Sequence, residues 1–594
     1  MTKNSPTFLA TTALSEFWDT SQSLLFLGEW CTPHHTQDIW QSLNAQKLSR
    51  LALEDSQSFS AYSYTLEVYQ KLLPQLAEWL NHIHGVHYSL RYWKIIIGPF
   101  LLWYIQVVYD RFLHLKAAYT QYPEIKTIGL SSDSYLTPMD TFEFYLLATE
   151  SDAWNLQLFT QIMEFSFVSP ESYRDVSWEN EIKQRLKMQN QQPIYKKMTK
   201  IKINMLRFFS YFRAKKAIGM YFCGLSNKNI FRLWALSNFR VFPIVQMSHK
   251  PPQKKHKLDL GGREKIMDFS IEDDFSRLIL NTLKINLPLN FVENYREEAV
   301  YSEKCFPYRA NMVVGAGWNP DDRFKFWGAK MAEHGAKIVD IQHGGGYGTH
   351  GYSAREFLER DNCDAFISWG WKNGHDVIPL PSISACEKYR IHAKKRRKEN
   401  DLILWVANEV PRYLLSIENS LHVYSGKKSY TDLQARFARK LLPSVFEKVT
   451  MRVRPFSKHV YQIKKELPTL NVYQPNDKDC FFEQLTKAKI MVSDNLQTTF
   501  LYSLAFGIPT LLFGENELDQ INQEFRHYFE GLSKVGIYHD SPESAADMLN
   551  KVMTNPLDWW QSAHVQAARQ TFCHHFVRIT PDWLRDWANR LVTT

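Results

Sequence analysis

The chain has 594 residues, 44% hydrophobic and 22% charged, with a formal net charge of +9. That is the balance of a globular protein and sets aside a disordered chain, with room for two or more domains of roughly 100–200 residues each. The positive excess suits anionic substrates, anionic lipid or nucleic acid.

Seven cysteines, Cys31, Cys223, Cys305, Cys363, Cys386, Cys480 and Cys573, are scattered without CxxC spacing. This argues against a zinc site or disulfide framework and fits a reducing cytoplasm. The N-terminal MTKNSPTFLATTALSEFWD has no charged-then-apolar leader pattern. Ser23 to Leu27, SLLFL, reads as a strand ending at Gly28-Glu29-Trp30, the first strand-to-loop edge of an α/β domain. Residues 44 to 120 are helical in pattern. Their longest apolar run, Ile95 to Tyr109, has 15 residues, short of the roughly 18–20 that cross a bilayer. Arg91, Lys94, Asp110 and Arg111 bracket it, so a buried core helix is expected.

Thr127 to Leu130 reads as a strand, followed by the polar SSDSYLTPMD with Asp133 and Asp140. Pro138 stands just ahead of a helix start. Residues 185 to 265 mix Lys and Arg with Phe, Tyr, Met and Ile, and acids are few. The stretch reads as a basic aromatic insertion. It is either an amphipathic surface touching anionic lipid or a solvated insertion with its own small core.

From residue 310 strands and helices alternate. Asn311 to Val314 leads into Gly315-Ala316-Gly317, and Ile338 to Ile341 breaks at Gln342-His343 into Gly344-Gly345-Gly346-Tyr347-Gly348. Glycines let a backbone approach a ligand and expose N–H groups to it. Ligands of open α/β sheets lie beyond the carboxyl ends of the strands. The apolar runs are continuous rather than alternating, as in buried parallel sheets. KKRRKEN, Lys394 to Asn400, reads as a charged linker. A second α/β unit comes next, with strands Leu402 to Val406, Val449 to Val453, Lys489 to Val492 and Thr510 to Phe513. The expected organisation is an N-terminal α/β domain over 1–390, a second α/β domain over 400–540 and a helical tail over 541–594. Two Rossmann-type domains facing a cleft are expected, a GT-B-like α/β fold.

In the second unit, Ser493, Asp494, Asn495, Thr498 and Thr499 lie at a strand end and the helix start beyond it. Free N–H groups and hydroxyls there suit an anion; the same residues are usual helix caps. Arg452 and Arg454 share a strand face, and a guanidinium can grip phosphate with a forked geometry. Glu515, after the last strand, suits ribose hydroxyls. His343 is the sharpest single candidate, as acid, base or donor to a phosphate or carboxylate. His350 is a second, Tyr347 can stack on a sugar or base, and Gln342, Gly344 and Gly345 belong to the same edge. No DxD loop is evident; Asp321-Asp322 reads as a first-turn charge pair, and metal-independent chemistry is expected.

Five blocks, FLATTALSEFWDTSQSLLFLGEWC, LRYWKIIIGPFLLWYIQVVYDRF, GAGWNPDDRFKFWGAK, IQHGGGYGTHGYS and VSDNLQTTFLYSLAFGIPTLLF, resemble the LIC12162-type family of transferases from bacterial surface-polysaccharide gene clusters. The resemblance covers most of the chain outside 185–265. It implies a glycosyltransferase, similar to capsule and O-antigen enzymes that use CMP-activated 2-keto sugar acids such as Kdo, pseudaminic or legionaminic acid. It also implies a glycan or lipid-linked glycan acceptor on the N-terminal domain and a nucleotide-sugar donor on the second. No further cofactor and no nucleic acid are expected; the scattered cysteines point to the cytoplasm, and the basic aromatic stretch adds the alternative of a peripheral place at the inner membrane face. Capsule-type Kdo transferases carry His-Pro at the phosphate-side strand end; here the pair is Arg454-Pro455, with Lys458 and His459 nearby. Glycosyl transfer needs a carboxylate as base or nucleophile. The candidates are Asp140, Glu29 after Gly28, and Asp133. Asp140 is equally an N-cap or a partner of Arg91 or Arg111, and Arg91 can bind an acidic sugar. The competing expectations are a UDP- or GDP-sugar or polyol-phosphate transferase on the same fold, and a non-catalytic assembly protein at the membrane surface.

Overall fold

A computed structural model of the chain describes residues 6–33, 36–48, 55–189, 200–212, 216–247, 249, 251–252, 258–392, 401–408, 411–417, 430–455, 457, 459–476, 480–515 and 517–593. The Lys394–Asn400 linker and Lys458 lie outside them. The first strands, β1 (Phe8–Ala10), β2 (Leu24–Phe26) and β3 (Ala45–Lys47), make a small parallel sheet of their own. Next to it β4 (Ile128–Leu130) pairs with β5 (Ser172–Arg174), and Leu9 N donates to Lys126 O at 2.7 Å.

Two long helices, α1 (Asp55–His84) and α2 (Leu90–Gln121), pack against each other beside these sheets. By length and composition α2 could cross a membrane, but 83% of its most apolar window is buried inside the protein. Ile95, Ile96, Phe100, Leu101 and Ile105 are fully covered; the apolar run is a core helix, as its bracketing charges suggest. Two further helices, α3 (Thr141–Glu150) and α4 (Asp152–Ser166), meet at Ser151, whose hydroxyl caps α4.

The first large sheet contains β6 (Ile218–Tyr221), β7 (Val241–Pro243), β8 (Met312–Gly315), β9 (Lys337–Ile341), β10 (Ala365–Ser368) and β11 (Val377–Pro379). All pairings are parallel, in the order β11-β10-β9-β8-β6-β7. The second contains β12 (Ile403–Val406), β13 (Val449–Arg452), β14 (Asn471–Tyr473), β15 (Ile490–Ser493), β16 (Thr510–Phe513) and β17 (Tyr538–His539), in the order β14-β13-β12-β15-β16-β17. Counted within its own unit, the second order is 3-2-1-4-5-6, the doubly wound dinucleotide-binding order; the first is 2-1-3-4-5-6. Two such sheets facing a cleft, with C-terminal helices, make a GT-B architecture.

The expected boundaries need correction at three places. Residues 185–265 are not an insertion: β6 and β7 lie inside them and form one flank of the first sheet. The apolar runs that form these strands, around Ile218–Tyr221 and residues 241–245, are short and stand among cationic and exposed aromatic neighbours, so the composition of the stretch masked its strands. The strand at Ser23–Leu27 lies in a separate open sheet, β1-β2-β3, and not in the large one. The helical tail is not a separate end. Its last helix, Trp583–Thr593, returns to the first sheet, where Trp583, Leu584, Trp587 and Leu591 share a core with Ile218, Val241, Val339 and Ile367.

Candidate active site

β9 ends at Ile341, and Gln342 fixes the glycine loop beyond it. Buried, Gln342 accepts from Trp369 N at 2.8 Å and Trp371 Nε1 at 2.9 Å, and donates to Gly344 O at 2.8 Å. These bonds clamp the loop to β10 and present His343 to the space between the sheets. The loop then crosses to the second sheet. Gly345 N donates to Thr498 Oγ1 at 2.8 Å, and a Cβ on Gly345 would stand 2.6 Å from the carbonyl carbon of Gln497. Gly351 N donates to Gln520 O at 2.9 Å, and His350 pairs with Ile521. The Gly345 N–H is therefore spent on joining the domains, where only a bare backbone fits; it is not part of an anion cradle.

The cleft has a volume of about 820 Å³, the size of a ligand as large as a sugar nucleotide. One wall is lined by the carboxyl end of β12 (Val406, Ala407), the end of β13 and the start of α5 (Thr498–Ala505). This is the point where strand order reverses in the second sheet. Four cationic side chains line the cleft among the described residues, Arg355, Lys388, Arg452 and Arg454. Arg355 lies over the Trp103 ring, 5.9 Å from its centre, Lys388 over Phe482 at 5.2 Å and Arg452 over Tyr473 at 5.8 Å. Against these four stands one described lining carboxylate, Glu150, the last residue of α3.

His343 is neutral at neutral pH. Burial and the Arg355 guanidinium lower it to about 4, although 35% of its side chain is open. Tyr347 Oη is 3.1 Å from its Nδ1, and Arg355 Nη1 is 3.3 Å from its Nε2. Arginine can only donate, so Nε2 is the acceptor and Nδ1 carries the proton in this network. Behind the ring, Glu359 Oε1 lies 3.8 Å from Nδ1 and accepts from Asn319 Nδ2 at 2.7 Å. Burial raises Glu359 to about 8, and buried Asp340 beside it is raised well above its usual range by burial and by Glu359. At neutral pH Glu359 is thus protonated and does not pair with a histidine cation.

A carboxyl raised in the fold from 4.5 to about 8 leaves stability intact below pH 4.5 and erodes it as pH rises from there through 8. Glu359→Gln keeps an acceptor for Asn319 and removes the ionisation. It is expected to be more stable than the wild type by roughly 1–3 kcal/mol above pH 8, with the difference closing toward pH 4.5. Denaturant melts at several pH values check this; a pH-independent difference would contradict it.

Of the residues singled out in the sequence, His343, Gly344, Gly345, Tyr347, His350, Arg452, Arg454, Asn495, Thr498 and Thr499 line the cleft. Others are placed elsewhere. Gln342 and Ser493 are structural; Ser493 Oγ donates to Asn495 O at 2.9 Å. Asp494 is buried and accepts from Trp405 Nε1, Tyr430 Oη, Gln434 Nε2 and Asn495 Nδ2, which pins the strand end instead of holding a ligand. Glu515 pairs with Arg436 outside the cleft. Arg91 pairs with Asp364 at 2.5 Å on the surface.

The three expected carboxylates fail on position. Asp140 caps α3, accepting from Glu143 N at 2.8 Å. Asp133 is exposed in a short turn, and Glu29 is exposed beyond β2, where the Trp30 ring covers Gly28. None of them, nor Gly28, lines the cleft. Sequence reasoning missed Glu150 because it follows no strand. Its only signal is the helix–cap–helix junction Thr149-Glu150-Ser151-Asp152.

A family model described as LIC12162 family transferase matches residues 7–591. The chain belongs to that family. This LIC12162 transferase matches no curated protein. Among solved structures it is similar to the wall teichoic acid polymerase TagF, at 12% identity and TM-score 0.30, over 66% of this chain and 95% of that one. It is also similar to the UDP-GlcNAc 2-epimerase from Neisseria meningitidis bound to UDP-GlcNAc, at 11% and 0.33, over 64% and 98%. A third is WaaG, a glycosyltransferase involved in lipopolysaccharide biosynthesis, at 10% and 0.29, over 63% and 99%. Likenesses this distant do not bear on chemistry.

Proposed function

We propose that this transferase moves a 2-keto sugar acid from its CMP-linked donor to a hydroxyl of a glycan acceptor in surface-polysaccharide biosynthesis. The observation that supports this reading is the charge of the cleft: Arg355, Lys388, Arg452 and Arg454 against the carboxylate of Glu150. A CMP-linked keto acid is anionic twice, at its phosphate and its sugar carboxylate, and needs more than one cation when desolvated. In this scheme the nucleotide lies along the second sheet, with its phosphate at Arg452 and Arg454 and its polar edges toward Asn495, Thr498 and Thr499. Arg355 turns from His343 to the sugar carboxylate, which frees Nε2 of the neutral imidazole to accept from a sugar hydroxyl. Glu150, on the N-terminal layer, takes the proton of the attacking acceptor hydroxyl. The bond from the anomeric carbon to the phosphate oxygen breaks as the bond to the acceptor oxygen forms, and CMP leaves with the bonding electron pair.

Thermal-shift titration with CMP, UDP and GDP tests the donor assignment. CMP is expected to raise the melting temperature more than UDP or GDP. Selective stabilisation by UDP or GDP would move the protein to another donor class.

A further inference from the structure

We infer that the exposed face of the helix Lys200–Phe212 is a docking surface for an anionic lipid bilayer. On this helix Met205, Phe208 and Phe212 are 40%, 64% and 74% exposed. Their spacing of three and four residues puts them on one face, and the Phe208 and Phe212 rings stack at 5.9 Å in the open. Leu206 and Ser210, on the other face, are buried, and the helix packs on β7, the edge strand of the first sheet. The apolar stripe thus points away from the sheet. Tyr211 beside it lies under two guanidinium groups, Arg207 at 5.9 Å and Arg309 at 5.3 Å.

Charge selects the occupant. Residues 185–265 hold nineteen Lys and Arg against Asp259 and Glu264, which leaves 52 Lys and Arg against 60 Asp and Glu in the rest of the chain. The net charge is therefore +17 in this stretch and −8 elsewhere, although the total is +9. The same stretch of 81 residues carries ten of the 24 exposed large hydrophobic side chains among the described residues. Aromatic side chains that enter an interface, flanked by cations that stay in water, match the boundary of a bilayer with anionic headgroups. The strands β6 and β7 belong to the core, so the surface is this helix and not the whole stretch.

Flotation of the full chain with phosphatidylcholine vesicles, with and without phosphatidylglycerol, tests the inference. Binding is expected to the anionic vesicles, to weaken as salt rises, and to fall about tenfold in the double variant Phe208→Ser, Phe212→Ser. Both side chains are exposed, and an unchanged melting temperature verifies that the variant folds. Failure to float with anionic vesicles, equal binding to neutral ones, or a variant that floats like the wild type would overturn it. So would sedimentation showing that the stripe joins two copies of the chain and that the variant separates them. None of these outcomes depends on which sugar nucleotide the cleft takes.

Discussion

Glu150→Gln is expected to slow transfer by about 10²–10⁴-fold, or roughly 3–5 kcal/mol of lost transition-state stabilisation. The substitution keeps size and shape and removes the charge and the basicity. Because Glu150 ends α3 in the N-terminal layer, across the cleft from the second sheet on which the proposed nucleotide site lies, the fall should appear in kcat while CMP still shifts the melting temperature. Asp140→Asn, Glu29→Gln and Asp133→Asn serve as comparisons. They lie outside the cleft lining, so transfer should continue at close to the wild-type rate. A Glu150→Gln enzyme with full activity, or an Asp140→Asn enzyme without it, would reassign the base.

His343→Ala is expected to cost about 10²-fold or more in kcat/KM, with a pH signature that distinguishes its role. The imidazole is held near 4 by burial and by Arg355. It is therefore neutral across the range from pH 5 to 8, and its protonation adds a cation to a site already rich in them only below that range. The wild-type rate should show no limb at the ordinary histidine value of about 6.5. A limb at that pH, lost in His343→Ala, would mean that the imidazole titrates as a solvated one and that neither burial nor Arg355 controls it. His343→Gln retains a side chain that can accept from a sugar hydroxyl, so it should recover part of the loss; no recovery would argue that the residue acts by transferring a proton.

Much of this architecture was legible in the sequence for physical reasons. Continuous apolar runs marked the strands β8, β9, β12, β15 and β16, because buried parallel strands have no solvent face to alternate; β13, with its alternation of buried and half-buried residues, showed instead as a short run before Arg454-Pro455. The histidine and glycine loop after β9 stood out because a strand end, a titratable ring and bare backbone coincide there. Three features were not legible. Gly345 reads the same whether it cradles a phosphate or lets Gln497 and Thr498 approach, and only the packing distinguishes the two. Ser493 and Asp494 match the anion-site pattern, but Trp405, Tyr430 and Gln434, far away in the chain, occupy Asp494. Glu150 gained its place from a helix junction in the N-terminal layer and from a fold-level meeting with the second sheet. No local pattern encodes that meeting.

If the cationic cleft takes a CMP-linked keto acid and transfers it, the most direct measurement is release of CMP from a panel of CMP-linked 2-keto sugar acids. The panel is run with and without a glycan acceptor and set beside UDP- and GDP-linked sugars. Acceptor-dependent release of CMP from at least one member, abolished in Glu150→Gln, is the predicted result. Turnover confined to UDP- or GDP-linked donors, or no turnover and no binding across the whole panel, would contradict it.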